Sequence, residues 1–197
     1  MPDPNIGSKQ HFKHMLDQSV LAEKLGYVAV SIPEHHLVNL LMMPSPLQMA
    51  VKISSLTNKI RLSTSVAVLP IHDMRTFAGE VATADILTEG RLVLGVARGA
   101  FAWELDRLGT PIESSKEKFI ESLEVLKALL SKENYSFKGK YYHFNAITIM
   151  PRPISDPVPI MIAAMDPSSI RNAAANGYHV QSTVLSGTKK LLLERVN

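Results

Sequence analysis

The sequence predicts an α/β protein built on parallel strands. Short apolar runs rich in β-branched residues start near residues 27, 60, 91, 159 and 178. Stretches with apolar residues at helical spacing lie between them, and the two kinds of segment alternate along the chain. Strands that alternate with helices pair in parallel through right-handed crossovers. Five such strands suit a doubly wound open sheet with helices on both faces. They equally suit part of an eight-stranded barrel, which typically needs about 250 residues. The alternation by itself leaves both open.

The first helix runs from Ser8 to Leu25, with Phe12, Met15, Leu16, Val20, Leu21 and Leu25 at helical spacing and Gly26 as its stop. "YVAVSI" (27–32) is the first strand, broken by Pro33, and a helix lies around Pro46 to Leu56. "IRLSTSVAVL" (60–69) is the second strand, ended by Pro70. Asp73 caps a helix that Gly90 stops, and "RLVLGVA" (91–97) is the third strand. Ser114 and Glu117 form a capping-box pattern before Phe119, Ile120, Leu123, Leu126 and Leu130, an amphipathic helix. "SFKGKYYHF" (136–144) reads as an excursion of β structure and "PRPISDPVP" (151–159) as a stiff connector. "PIMIAA" (159–164) is the fourth strand. Asp166 then caps a helix with Pro167 at its first position and Gly177 as its stop. "YHVQSTVL" (178–185) is the fifth strand, and "GTKKLLLERV" (187–196) begins another helix.

With 197 residues, 46% hydrophobic and 20% charged, the chain can bury one good core, so residues 1–197 read as a single domain. The net charge of +3 comes from 21 basic and 18 acidic residues, scattered rather than clustered. That balance suits an anionic small molecule, and no pattern of stacked aromatic and basic residues supports nucleic-acid binding. The absence of cysteine excludes disulfides, thiolate nucleophiles and Cys-ligated zinc. The polar start "MPDPNIGSKQ" lacks the apolar core of a signal peptide, and no apolar run approaches a membrane span. The expectation is a cytoplasmic protein without membrane contact.

The order of motifs adds more. "AEKLGYVAVSIPEHH", "STSVAVLPIHDM", "ILTEGRLVLGVARGAFAWELDRLGT", "FKGKYYHF" and "PRPISDPVPIMIAA" follow one another at a particular spacing. In this the chain resembles the bacterial luciferase-like flavin monooxygenases, from about residue 12 to 190. The resemblance implies a TIM barrel with an excursion near its middle, of which the five strands would be about the second to the sixth of eight. The chain is therefore expected to be an incomplete single domain, lacking the first strand and the last two and leaving two sheet edges open. It also implies a reaction: insertion of one oxygen atom from O2 into a small organic substrate by reduced FMN, which a separate flavin reductase supplies. A deazaflavin-dependent hydride-transfer oxidoreductase and a non-catalytic flavin-binding remnant are the alternatives. Family members commonly pair through barrel helices, so the full-length form is expected to be a homo-oligomer.

The same resemblance selects candidate residues. "SIPEHHLV" (31–38) lies just past a strand end, where barrel enzymes build their active sites. The family implicates the first histidine of this motif in catalysis, which is His35; an imidazole titrates near neutrality and can give or take a proton. Glu34 would hold an imidazole by hydrogen bond, and His36 would pack or orient. Without the family context a solvated loop is the simpler reading. No metal site is expected, because adjacent residues in extended chain point oppositely and no HExxH spacing occurs. Arg98 takes the family's place for the flavin phosphate, with Gly99 beside it to let a ligand approach the backbone; a salt bridge across the barrel mouth is the alternative. The turn of Met165, Asp166, Ser168 and Ser169 opens a helix, so it suits an anion or simply its own cap, and it is expected to converge with Arg98. Ser65 and Val66 lie where the family often carries a non-proline cis peptide against the flavin ring. Glu104 takes an acidic position that would tune the flavin environment, although an isolated loop acid is more often solvated. Where the luciferase catalytic subunit has a cysteine near the flavin, this chain has Ala97.

Overall fold

The structure, a computed structural model, describes residues 7–38 and 42–183 together with Lys190 and Leu193. The helix expected over 187–196 lies, apart from those two residues, outside the described residues. The helices are α1 (Ser8–Lys24), α2 (Pro46–Ser54), α3 (Met74–Leu87), α4 (Ala102–Arg107), α5 (Ile112–Ser131) and α6 (Pro167–Ala175). The strands are β1 (Ala29–Ile32), β2 (Arg61–Thr64), β3 (Ala67–Val68), β4 (Leu92–Ala97), β5 (Tyr135–Lys138), β6 (His143–Ile147), β7 (Ile160–Ala163) and β8 (His179–Gln181).

The strand order decides between the two architectures. β1, β2, β4, β7 and β8 lie side by side in chain order, all parallel, and β3 continues along β4. An order that never reverses, joined by right-handed crossovers, places every connecting helix on one face. Accordingly α1 touches α2, α2 touches α3, and α3 touches α5. The sheet is a curled half-barrel with its helices outside. Among the described residues β1 and β8 are its two edges.

Side chains sort by the two-residue strand period. Ile32, Leu62, Leu92, Leu94, Val96, Ile160 and Ile162 are buried in the core beneath the helices. The row between them runs through Ser31, Ser63 and Val93, then Gly95 and Met161, and lines the concave face with small residues. Gly95 is obligatory there, since a Cβ would stand 2.0 Å from the Thr64 carbonyl oxygen. Thr64 Oγ1 also donates to the Gly95 carbonyl at 2.7 Å, which pins the two strands together.

Three local expectations change. The strand expected over 60–69 is interrupted: Ser63 faces Val93 but Ala67 faces Val96, so one extra residue bulges at Ser65 and Val66. The capping box of Ser114 and Glu117 does not form, because α5 starts earlier, after Pro111. Ser114 lies inside its first turn, donating back to the Pro111 carbonyl, while Glu117 accepts from Lys140 and Tyr141. Of the strand expected over 178–185, Tyr178 lies outside and, among the described residues, His179–Gln181 pair with β7; residues 184 and 185 lie outside the described residues. The expected excursion is the β5–β6 hairpin, whose turn is held by Glu121 accepting from the amides of Lys140, Tyr141 and Tyr142.

Asp73 caps α3 as expected, accepting from the Arg75 amide. The N-terminal ends of the strands carry stabilising polar contacts. Glu23 gathers the amides of Asn58, Lys59 and Ile60, and the fully buried Asp85 gathers those of Ile154 and Ser155. Chemistry in such a fold is built at the opposite, C-terminal end.

Candidate active site at the strand ends

Beyond β1 the chain turns at Pro33, and the His35 amide is fixed by donating to the Met43 carbonyl at 2.9 Å. Glu34 points inward and is 2% exposed. Its carboxylate collects three donors. His36 Nε2 at 2.9 Å and His72 Nε2 at 2.8 Å both meet Oε1, and the Val68 amide meets Oε2 at 2.6 Å. Burial pushes this carboxyl up, but the hydrogen bonds from His36 and His72 and then from Val68 outweigh it and hold it below its ordinary value. His36 moves the other way: its bond to Glu34 raises it, burial counteracts in part, and the charges of Glu34 and Glu104 add to the rise.

The His35 ring turns away from Glu34, as adjacent residues of an extended segment must. Its Nδ1 lies 3.3 Å from Glu104 Oε2, and the other oxygen of Glu104 accepts from the His36 amide. In the neutral ring this bond places the proton on Nδ1 and the lone pair on Nε2. Glu104 is not a solvated loop acid. The segment after Arg98 coils into α4, which buries Glu104 to 5% exposure and hands its carboxylate to the histidine loop. Phe101 leads into the same helix and lies 5.3 Å from His35, with Trp103 stacked 5.9 Å behind it.

The Ser65–Val66 peptide is cis. It sits at the bulge between β2 and β3, where the Ser65 amide donates to the Ile32 carbonyl. From the far side of the arc, Gln181 Nε2 donates to Ser65 Oγ at 2.6 Å. Gln181 Oε1 is buried without a partner among the described residues. Whichever way that amide is turned, one of its polar atoms is left over.

Arg98 continues the helix-facing row of Leu94 and Val96. It lines a cavity of about 570 Å³ between α5 and α6, together with Lys116, Lys127, Asp166 and Ser169. The structure therefore brings Arg98 together with Asp166 and Ser169. Met165 and Ser168 are not among the residues lining that cavity. Met165 is 48% exposed, and Ser168 commits its hydroxyl to Asp166 Oδ1 at 2.6 Å. Asp166 also accepts from the Ser169 amide, and these bonds from Ser168 and Ser169 hold its carboxyl well below the usual range. The acid is thus the cap of its own helix. Among the described residues Arg98 has no ion-pair partner. Gly99 also has a different reason from the expected one. It sits at φ +90°, and a Cβ there would meet Leu105 at 2.9 Å and Val68 at 3.1 Å, so the protein itself fills the space.

Four residues of the site escape a linear reading: His72, Lys116, Lys127 and Gln181. The "LPIHD" segment contains His72, but only the Glu34 contact shows why it matters. Lys116 and Lys127 read as exposed helix charges, and Gln181 as an ordinary strand residue. Among the described residues no cluster of three or more His, Cys, Asp or Glu could hold a metal ion. No helix there is long and apolar enough to cross a membrane.

The curled parallel sheet, with acids and imidazoles gathered at its C-terminal strand ends, is a half-barrel with its helices outside. The sequence matches the luciferase-like monooxygenase family model over residues 2–191, and the chain belongs to that family. It is 34% identical over 180 residues to the oxygenase component of the flavin-dependent trigonelline monooxygenase of Acinetobacter baylyi, covering 90% of this chain and 50% of that protein. It is 30% identical over 175 residues to the F420-dependent glucose-6-phosphate dehydrogenase of Kineococcus radiotolerans, covering 83% and 51%. The crystal structure of monooxygenase RslO1 from Streptomyces bottropensis superposes with a TM-score of 0.87 at 25% identity, covering 96% of this chain and 60% of that one. The chain spans about half the length of the curated relatives it matches.

Proposed function

We propose that this chain carries the flavin-binding strand ends of a monooxygenase that inserts one atom of O2 into a small organic substrate. Reduced FMN would come from a separate reductase, a reading supported by the "oxygenase component" wording of the Acinetobacter relative. The observation that carries the proposal is the cavity between α5 and α6, which Arg98 and Lys116 line together with Ser169 near the start of α6. The two cations suit a phosphate monoester. The unpartnered Gln181 Oε1 beside Ser65 suits the ring N–H of an isoalloxazine, so the residues present fit the group at both of its ends.

In this reading Arg98, Lys116 and Ser169 hold the phosphate, while Ser65, Val66 and Gln181 border the ring. Reduced FMN, when bound, supplies the electrons that activate O2. His35 takes or gives the proton at Nε2, since Glu104 holds Nδ1. Phe101 packs against the His35 ring, with Trp103 stacked on Phe101. Glu34 is not the proton carrier but the anchor of His36 and His72.

The F420-dependent relatives support a second reading, hydride transfer with a deazaflavin. Equilibrium titration of the chain with reduced FMN, reduced riboflavin and a reduced deazaflavin separates the two. FMN is expected to bind about 10-fold or more tightly than riboflavin, and Arg98→Gln to remove that advantage. Equal binding of FMN and riboflavin rejects the phosphate assignment. Preference for the deazaflavin, with no O2-dependent product from the full-length enzyme, selects the second reading.

A further inference from the structure

Glu34 Oε1 accepts from two imidazoles at nearly equal distance, 2.9 Å to His36 and 2.8 Å to His72. The second oxygen accepts from the Val68 amide, so both rings share Oε1. His72 is also held from behind. Its ring stacks on Phe77 at 4.4 Å with 25° between planes, and its carbonyl accepts from Tyr142 Oη at 3.1 Å. It sits in the segment after β3, whereas His36 sits in the loop after β1, so Glu34 joins two strand-end loops through one atom.

We infer that His72 is a positioning residue: by sharing Glu34 Oε1 with His36 it sets the orientation of the His36 ring and makes the two imidazoles titrate as one coupled unit. With both rings neutral, both must carry their proton on Nε2 to serve the same acceptor. One further proton gives a neutral assembly of one carboxylate and one imidazolium. A second would place two cations around one buried anion, so uptake of each proton depends on the other ring. The loop side adds Glu104, which meets His35 Nδ1 with one oxygen and accepts from the His36 amide with the other, so its charge also faces His36. On the outer side His72 borders a polar cavity with Asp73, Arg75, Lys118, Tyr141, Tyr142 and His143. There Asp73 is neutralised by Arg75, and Lys118 donates to Thr110, so none of these offers His72 a competing carboxylate. The raised titration of His36 agrees with a ring held against an anion. The inference goes beyond the proposed oxygenase chemistry and does not depend on it.

The test is an NMR titration of the histidine Cε1–H signals in the chain, with no flavin present. In the unsubstituted chain the His36 curve is expected to show two inflections, because protonation of His72 is felt through Oε1. His72→Gln keeps an N–H donor for Glu34 but cannot bind a proton, so the His36 curve should collapse to one inflection with the ring still in place. His72→Phe keeps the stack on Phe77 and removes the donor. The undivided charge of Glu34 should then move the His36 inflection to higher pH. A single inflection in the unsubstituted chain overturns the inference, as does a His36 curve unaltered by His72→Gln. If His72→Phe fails to fold, His72→Gln still decides.

Discussion

Replacing Glu34 by Ala removes the acceptor of three donors from the interior. The side chain is fully covered, with 0% relative exposure, and Val68, whose amide it accepts, is only 7% exposed. A hydrogen bond to a charged group contributes about 1.5–3 kcal/mol, and a stranded buried donor loses that in full. The Val68 amide is such a donor. The His36 and His72 side chains are 21% and 24% exposed and can recruit water, so each loses less. The total expected loss is ~3–5 kcal/mol, the range for breaking a buried ion pair by removing one partner. Glu34→Gln keeps one acceptor oxygen and should lose about half as much. Urea unfolding followed by circular dichroism measures both, provided the slope against urea is unchanged.

The pH dependence of that loss is the sharper check. The Glu34 pKa is lowered by folding from its ordinary 4.5, so its contribution is present above that value and is lost as pH falls through the folded pKa. The His36 pKa is raised from 6.5, so its contribution is present below that value and is lost as pH rises through the raised one. The difference between the parent chain and Glu34→Ala should therefore be greatest between pH 4.5 and 6.5 and shrink on both sides. A loss below about 1 kcal/mol at pH 6, or one that stays flat from acid to alkaline pH, refutes the reasoning.

Other substitutions probe other parts of the structure. On the proposed oxygenase reading, His35→Ala should leave flavin binding intact and lower O2-dependent product formation about 10²–10⁴-fold, as removal of an acid–base group does; a rate within a few-fold of the parent returns His35 to a loop role. Gly95→Ala drives a methyl to 2.0 Å from the Thr64 carbonyl, so β2 and β4 must separate; the urea midpoint should fall by the equivalent of ~3 kcal/mol or more. Asp73→Ala removes the cap of α3 and should cost about 1 kcal/mol in the same assay without altering flavin affinity.

Composition and periodicity determined the strand–helix alternation, the caps at Asp73 and Asp166, and the stops at Gly26, Gly90 and Gly177. These are local properties: a cap needs one side chain and one amide a few residues on, and a glycine stop needs one positive φ. Ser114 shows the limit, because a capping motif two residues inside a helix is spelled like one at its start. The EHH loop could be located at a strand end, and the opposite turning of its two rings follows from extended backbone. Their partners could not be read. Glu104 lies 69 residues from His35 and His72 lies 38 from Glu34, and no periodicity relates positions that meet only when strand ends are gathered side by side. The same holds for Gln181 and Ser65, 116 residues apart across the arc, and for Lys116, which lines one cavity with Arg98 although a separate helix, α4, lies between them in the chain. Local sequence determines which elements form and where they stop. Which carboxylate meets which imidazole depends on strand order and curl, and these are decided by burying one face of the sheet under every helix at once.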